Sequence, residues 1–370
     1  MKKVFLVFGT RPEAIKMYPV FKALHDKGNI ETKIIITSQH QEMLMQVINL
    51  FKMPFDYNLN VMEDRQTITR ITVKVLEGLK EVFESDRPDI VLVHGDTTTT
   101  FTSALAAFYE KIPVGHVEAG LRTYNKFSPF PEEMNRKLTD SLTDLYFTPT
   151  RSARTSLINE GVDEQKIFVT GNTVVDALHE ILKREHSTKL PFNENEKFII
   201  VTAHRRENWG EPMVRICKAV DFISNKYKGK FKIVFSVHKN PAVRETVNRI
   251  LGSNSNVKLI EPMDYLDFVY LLSKSFFIMT DSGGIQEEAP SLKKPVLLLR
   301  EVTERPEAIE SGAVKLVGTL TENIIRNSEL LMESEQEYSR MSSVENPFGD
   351  GTAGKKISDI VINYLKMEGN

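Results

Sequence analysis

Short apolar runs alternate along this chain with longer stretches in which apolar residues recur every three or four positions. The runs fall at 4–8, 33–37, 89–94, 114–117, 145–148 and 167–169. After a polar break they resume at 198–203, 232–237, 257–260, 276–280, 295–299 and 313–316. Between them lie patterns such as Ala14, Ile15, Met17, Tyr18, Val20, Phe21 and Leu24, which mark one buried face of a helix. Strand–helix alternation predicts parallel sheets joined by right-handed crossovers. It occurs twice, so an α/β chain with two open parallel sheets is expected. The break at 183–196 is charged and has no apolar face, which places a hinge between about 171 and 197.

Open parallel sheets bind ligands beyond the carboxyl ends of their strands. The residues that follow the runs are therefore informative. They include Gly9-Thr10-Arg11, Ser38-Gln39-His40, His94-Gly95-Asp96 and Glu118-Ala119-Gly120 in the first half. The second half has His204-Arg205-Arg206, His238-Lys239, Asp281-Ser282-Gly283-Gly284 and Arg300. Any strand must end in something polar. Charged, small and imidazole residues at one end of most strands predict a cleft between two domains, lined by these loops.

Composition narrows the partners. The chain has 370 residues, and 48 basic against 50 acidic side chains leave a net charge of −2. Two domains are the ordinary outcome at this length. Nucleic-acid binding leaves a basic footprint, and none is present overall. No apolar run approaches the ~18 residues that span a bilayer. Met1-Lys2-Lys3 and the apolar 4–8 mimic the start of a signal peptide, but the run stops at Gly9 and reads as a first strand. Cys217 is the only cysteine, which excludes an intrachain disulfide and a thiolate metal cage and fits a reducing cytoplasm. Its helical surroundings read as a buried structural thiol.

Asp281-Ser282-Gly283-Gly284, running into Ile285-Gln286-Glu287-Glu288-Ala289-Pro290, joins a strand to two glycines and a helix start. Such a turn brings backbone N–H groups to an anion. It also fits a tight turn capped by Ser282. Glu288, about one turn in, could meet a ribose. Gly9-Thr10-Arg11-Pro12 is a similar turn, with Arg11 and Lys16 on one side. Asp96 and Glu118 end strands, and Glu132 and Glu133 follow Pro131 at a helix start. Carboxylates gathered in one cleft can divide acid and base roles. The alternatives are a helix cap at Asp96 and a capped helix start at Glu132 and Glu133. His94 and His116 read as satisfied core histidines. His204 and His238 read as polar contacts facing the cleft. No metal-binding spacing occurs. Gly349-Asp350-Gly351-Thr352-Ala353-Gly354 fits GxGxxG but lacks the preceding strand and the βα unit that follows, so it reads as a polar turn into a terminal helix.

With these residues the chain resembles the non-hydrolysing UDP-N-acetylglucosamine 2-epimerases. The likeness runs from Phe8-Gly9-Thr10-Arg11-Pro12-Glu13-Ala14-Ile15-Lys16-Met17 to Asn346-Pro347-Phe348-Gly349-Asp350-Gly351. It takes in His94-Gly95-Asp96-Thr97-Thr98, His116-Val117-Glu118-Ala119-Gly120-Leu121-Arg122, Pro131-Glu132-Glu133, His204-Arg205-Arg206-Glu207, 281–290 and Thr303-Glu304-Arg305-Pro306-Glu307. The resemblance implies two Rossmann-like, doubly wound domains of the glycosyltransferase B type facing a central cleft. They would span 1–171 and 172–354, the second binding UDP, with a terminal helix in 355–370 packed back on the first. It implies a cytoplasmic homodimer that needs no cofactor and no metal. The implied reaction converts UDP-GlcNAc to UDP-ManNAc through loss of UDP, a bound 2-acetamidoglucal and re-addition, supplying cell-envelope polysaccharides.

By the same resemblance, Asp96, Glu118 and Glu132 are the catalytic acids and His204 the catalytic histidine. Arg11, Lys16, Arg136, Ser282, Gly283, Gly284 and Arg305 would bind substrate, with Phe268 and Glu288 on uracil and ribose. Some members carry a second, regulatory UDP-GlcNAc pocket. Its matching positions are Gln39, Arg65, Gln66, Arg206 and His238, although Glu42 stands where an activator-dependent enzyme has Gln. A hydrolysing epimerase and a retaining glycosyltransferase are the competing readings. The carboxylates favour elimination, because simple transfer has no proton at carbon 2 to move.

Overall fold

The twelve apolar runs all carry strands in the computed structural model, which describes residues 1–38, 41–63, 67–185 and 196–367. The chain divides into two compact units, Met1–His179 with Phe348–Asn370, and Glu180–Pro347. The first holds β1 (Lys2–Phe8), β2 (Ile30–Ile36), β3 (Tyr57–Asn58), β4 (Ile90–His94), β5 (Val114–Val117), β6 (Leu145–Thr148) and β7 (Ile167–Val169). They form one parallel sheet in the order β3-β2-β1-β4-β5-β6-β7. The second unit holds β8 (Phe198–Thr202), β9 (Lys232–Ser236), β10 (Val257–Ile260), β11 (Ile278–Thr280), β12 (Val296–Leu298) and β13 (Val314–Leu316). Its order is β10-β9-β8-β11-β12-β13, again parallel.

Helices cover both faces of such sheets, so the central strands are apolar throughout. Val4 to Phe8 and Ile90 to Val93 are fully buried. In the second unit Ile199, Val201, Ile233 and Phe235 pack with Met213, Ile216 and Cys217. Burial pushes the Cys217 thiol up to about 12, so it is inert as a nucleophile at neutral pH. The strand β3 escaped the sequence reading. It has only two residues, beside Ile35 and Ile36 at the sheet edge, too few to show a period. No helix among the described residues is long and apolar enough to cross a membrane.

Both sheets wind outward in two directions from their first strand. The direction changes between β1 and β4 in one unit and between β8 and β11 in the other. These are topological switch points, where loops diverge and leave a crevice. The loops that leave them are Gly9-Thr10-Arg11, His94-Gly95-Asp96, the segment after β8 that begins Ala203-His204, and Asp281-Ser282.

The chain returns to the first unit at Phe348, whose carbonyl accepts the Asn172 N–H at 2.6 Å. Gly349 and Gly351 serve close packing there. A Cβ on Gly351 would lie 2.3 Å from His179 Nδ1. The helix Ala353–Met367 then packs on the helix Arg11–His25. Its N-terminal amides at Ala353 and Gly354 donate to the Asp176 carboxylate at 3.2 and 2.9 Å. The anion position of the GxGxxG run is thus filled by the protein's own side chain.

Candidate active site

In the first unit the helix Arg11–His25 starts with a capping box closed by Glu13, which accepts the Gly9 and Thr10 N–H groups at 3.0 and 2.7 Å. Its other oxygen accepts the Thr97 hydroxyl at 2.7 Å, tying the loops after β1 and β4 together. Arg11 is half-buried and has no ion-pair partner among the described residues. Lys16 points from this helix to Glu118, and the two form a salt bridge with both side chains only 10% exposed.

Glu118 ends β5 with φ +67°, the left-handed region that disfavours side chains. Strain of this kind collects at functional positions and costs on the order of 1 kcal/mol or more. Asn172 Nδ2 donates to the same Oε2 at 2.8 Å, and His94 Nε2 lies 3.7 Å from it. Burial alone would raise the carboxyl's pKa. Lys16 and His94 outweigh it and hold Glu118 well below the usual carboxylate range. Glu118 is therefore ionised at neutral pH.

Asp96 does not cap the next helix. Thr97 is the N-cap of the helix Thr98–Tyr109, accepting the Thr100 N–H, so the Asp96 carboxylate is left for Arg136 at 2.5 Å. Arg136 also meets Glu133 at 3.5 Å, and Asn135 Nδ2 donates to the Asp96 carbonyl at 2.9 Å. The helix Glu132–Ser141 thereby docks on the loop that carries Asp96. At its start Glu133 is buried and accepts the Thr123 and Tyr124 N–H groups at 3.0 and 2.9 Å, a purely structural use. Glu132 is half-buried, and its Oε2 has no hydrogen-bond partner among the described residues.

The two core histidines part company. His116 is satisfied as expected, with Nδ1 on Asp140 at 2.6 Å and Nε2 on the Gly95 carbonyl at 2.7 Å. His94 is not. Its ring is buried, neither nitrogen has a hydrogen-bond partner among the described residues, and it faces Glu118.

In the second unit a buried carboxylate organises the loop after β8. Asp281 Oδ2 accepts the His204 N–H, the Arg205 N–H and Asn208 Nδ2 at 2.8, 2.9 and 2.9 Å. Its Oδ1 lies 3.2 Å from His204 Nδ1. The His204 ring stacks on His238 at 5.6 Å between centroids. Burial lowers the His204 pKa, Asp281 opposes, and His238 and Arg205 lower it further. The imidazole is neutral at neutral pH.

Ser282 occupies the N-cap of the helix Gly283–Glu288, but its side chain makes no capping bond. Its N–H goes to Thr280 Oγ1 at 3.0 Å, so of the three amides expected to face an anion that of Ser282 is already engaged, and Gly283 and Gly284 remain as candidates. Gly283 is glycine for room. A Cβ there would lie 2.7 Å from Arg305 Nη1, whereas one on Gly284 would meet nothing within 4 Å. Arg305 is clamped by Glu287 and Glu304, each at 2.7 Å. Burial would raise Glu304, but Arg305, Arg300 and Arg205 bring it to about 2. Glu288 accepts the Tyr265 hydroxyl at 2.9 Å, and Phe268 stands half-buried one turn along the helix Tyr265–Lys274.

The expected residues thus fall into two sets. Around the first switch point stand Arg11, Lys16, Asp96, Glu118, Glu132 and Arg136. Around the second stand His204, Ser282, Gly283, Gly284 and Arg305, while Glu288 and Phe268 lie on the helices Gly283–Glu288 and Tyr265–Lys274, joined by the Tyr265–Glu288 hydrogen bond. Lys16, expected on substrate, is engaged by Glu118. Of the regulatory positions, Arg206 is exposed with its guanidinium 6.0 Å from the Trp209 ring, and His238 is exposed. Gln39, Arg65 and Gln66 lie outside the described residues. Among the described residues no cluster of His, Cys, Asp or Glu could hold a metal ion. Sequence reasoning missed Asn172, although it follows β7 and the strand-end rule applies to it. It also missed the Glu287–Arg305 clamp, which had no local signal.

Comparison with known proteins gives this arrangement its place. A family model described as UDP-N-acetylglucosamine 2-epimerase matches residues 22–362. A UDP-N-acetylglucosamine 2-epimerase of Salmonella typhimurium is 51% identical over 372 residues, 98% of this chain and 99% of its own. The crystal structure of the Neisseria meningitidis UDP-GlcNAc 2-epimerase bound to UDP-GlcNAc is similar at a TM-score of 0.89 and 50% identity, covering 98% of this chain and 100% of that one. The glycotransferase of kitacinnamycin shares only the fold, with a TM-score of 0.68 at 12% identity over 98% of each chain. Half the residues are identical along the full length of such relatives, and the family pattern spans nearly the whole chain: the protein belongs to the UDP-N-acetylglucosamine 2-epimerase family.

Proposed function

We propose that this protein interconverts UDP-GlcNAc and UDP-ManNAc by eliminating UDP and adding it back. The observation that carries the reading is Glu118, a carboxylate kept ionised in a buried and strained position beside a switch point. A proton on sugar carbon 2 is weakly acidic. Loosening the bond from the anomeric carbon to UDP builds positive character on the sugar and makes that proton removable. The C1–O bond then breaks with its electron pair passing to UDP. A carboxylate takes the proton, and the C2–H pair becomes the C1–C2 double bond of 2-acetamidoglucal. In the return step a UDP oxygen bonds to C1 while a carboxylic acid protonates C2 on the other face.

Asp96, Glu118 and Glu132 supply the acid and base, help worth roughly 10²–10⁴ in rate. Arg11, Arg305, His204 and the Gly283 and Gly284 amides receive the developing charge on the diphosphate, usually the largest catalytic term. Phe268 and Glu288 hold uracil and ribose. The test is incubation with UDP-GlcNAc alone, followed by ion-exchange separation of the nucleotide sugars. Two UDP-sugars reaching one ratio from either side are expected. Free ManNAc and UDP as the only products would overturn the reversible reading. No new sugar without an added acceptor would overturn epimerisation altogether.

A further inference from the structure

We propose that Asn172 is a positioning residue for Glu118: with Lys16 it fixes carboxylate oxygen Oε2, so that Oε1 is the oxygen that exchanges the proton with sugar carbon 2. The inference rests on the epimerase reading and deepens it.

Asn172 is buried, and each of its polar groups has a use. The backbone N–H goes to the Phe348 carbonyl at 2.6 Å. Oδ1 accepts the Val174 N–H at 3.0 Å, as an N-terminal cap does, and Nδ2 donates to Glu118 Oε2 at 2.8 Å. These two partners settle the amide orientation, because an N–H needs an oxygen and a carboxylate needs a donor. Oε2 therefore receives Asn172 and Lys16, with His94 Nε2 at 3.7 Å. Oε1 receives no hydrogen bond from the described residues. It looks over Gly95, where a Cβ would lie 3.9 Å away and φ is +68°.

The last torsion of a glutamate is broad and two-fold, so an untethered carboxylate exchanges its oxygens. Two donors on one oxygen stop that exchange and aim the other lone pairs, and proton transfer depends steeply on such alignment. The charged and titratable groups that face Glu118 are Lys16 and His94, and Asn172 is the neutral member of the set. A donor to the ionised form lowers a carboxyl's pKa, so its loss moves the acid limb of the rate profile to higher pH.

Two variants separate positioning from capping. Asn172→Ser and Asn172→Asp both keep an oxygen that can cap Val174. Serine is too short to reach Oε2, and aspartate faces it with a like charge. For Asn172→Ser, kcat should fall about tenfold with KM within about twofold, and the acid limb should move up. Asn172→Asp should lose more and move further. If the parent protein epimerises and both variants keep its acid limb and kcat, Asn172 is only a cap and the inference fails. If the parent itself does not epimerise, the functional reading fails instead.

Discussion

Replacing Lys16 by methionine isolates the pair on which the site depends. At ordinary hydrogen-bond separation, roughly 3 Å, opposite unit charges attract by about 5–6 kcal/mol at an effective dielectric of 20. Desolvating two ions costs several kcal/mol each, so the intact pair contributes little net stability. Removal of one partner leaves the other's desolvation uncompensated, since both side chains are only 10% exposed. The expected loss is about 3 kcal/mol, the low end for broken buried pairs, because Asn172 still donates to Glu118.

The pH dependence has a definite sign. In the parent, Glu118 lies below the ordinary carboxylate range. Its contribution is complete above the unfolded value near 4.3 and fades as pH falls through the depressed one. In Lys16→Met burial prevails and the value rises above the ordinary one. The charged carboxylate then destabilises the fold at neutral pH, and the penalty is relieved on acidification. The loss should be largest near pH 7.5 and smaller at pH 5. Urea unfolding followed by circular dichroism measures it. Fluorescence of Trp209, the only tryptophan, reports the second unit and serves as the internal control. Adding Glu118→Gln should restore about 2 kcal/mol, because a neutral pair has no charge to desolvate. Losses that simply add in the double variant would refute the reasoning.

Asp281→Ala removes a fully buried acceptor, leaving the His204 and Arg205 N–H groups without theirs and Asn208 Nδ2 with the Leu299 carbonyl alone; it should cost the second unit about 3 kcal/mol, with loss of UDP binding by calorimetry. Unchanged stability would remove Asp281 as the organiser of that loop. Gly283→Ala drives a methyl into the clamped Arg305 guanidinium and should weaken UDP binding about tenfold without unfolding the protein. Asp176 is raised to about 6 by burial, against the Gly354 and Ala353 amides. Its folded value exceeds the unfolded one, so its favourable contribution is present at low pH and is lost as pH rises through about 6. Hydrogen-exchange protection of the helix Ala353–Met367 should be about 1.4 kcal/mol greater at pH 5 than at pH 7.5, and Asp176→Asn should flatten that difference.

The strands were readable because parallel strands buried on both faces must be apolar runs, as Val4 to Phe8 and Ile90 to Val93 are. The edge pair Tyr57 and Asn58 carries no such demand. Placement of Asp96, Glu118, His204 and Ser282 followed from strand order alone, since polar residues after the central strands of a doubly wound sheet reach its switch point. Their partners did not follow. Asn172 is a single amide with no periodic signal. Glu287 meets Arg305 only because Gly283 leaves space for the guanidinium. The Asp281 hub depends on a loop 73 to 77 residues away in the chain. The run after Gly349 read correctly as a polar turn into a terminal helix, but the carboxylate that its amides hold, Asp176, lies 177 residues upstream and carries no local signal. His94 misled for a related reason: an apolar strand predicts a buried ring but says nothing of whether that ring finds a partner.

The central claim is that a carboxylate removes and returns the proton on sugar carbon 2. Proton NMR of UDP-GlcNAc incubated with the protein in deuterated water tests it most directly. The account predicts deuterium at carbon 2 of both UDP-GlcNAc and UDP-ManNAc, abolished in Glu118→Gln while UDP still binds. Interconversion of the two sugars with the carbon 2 proton retained would contradict it.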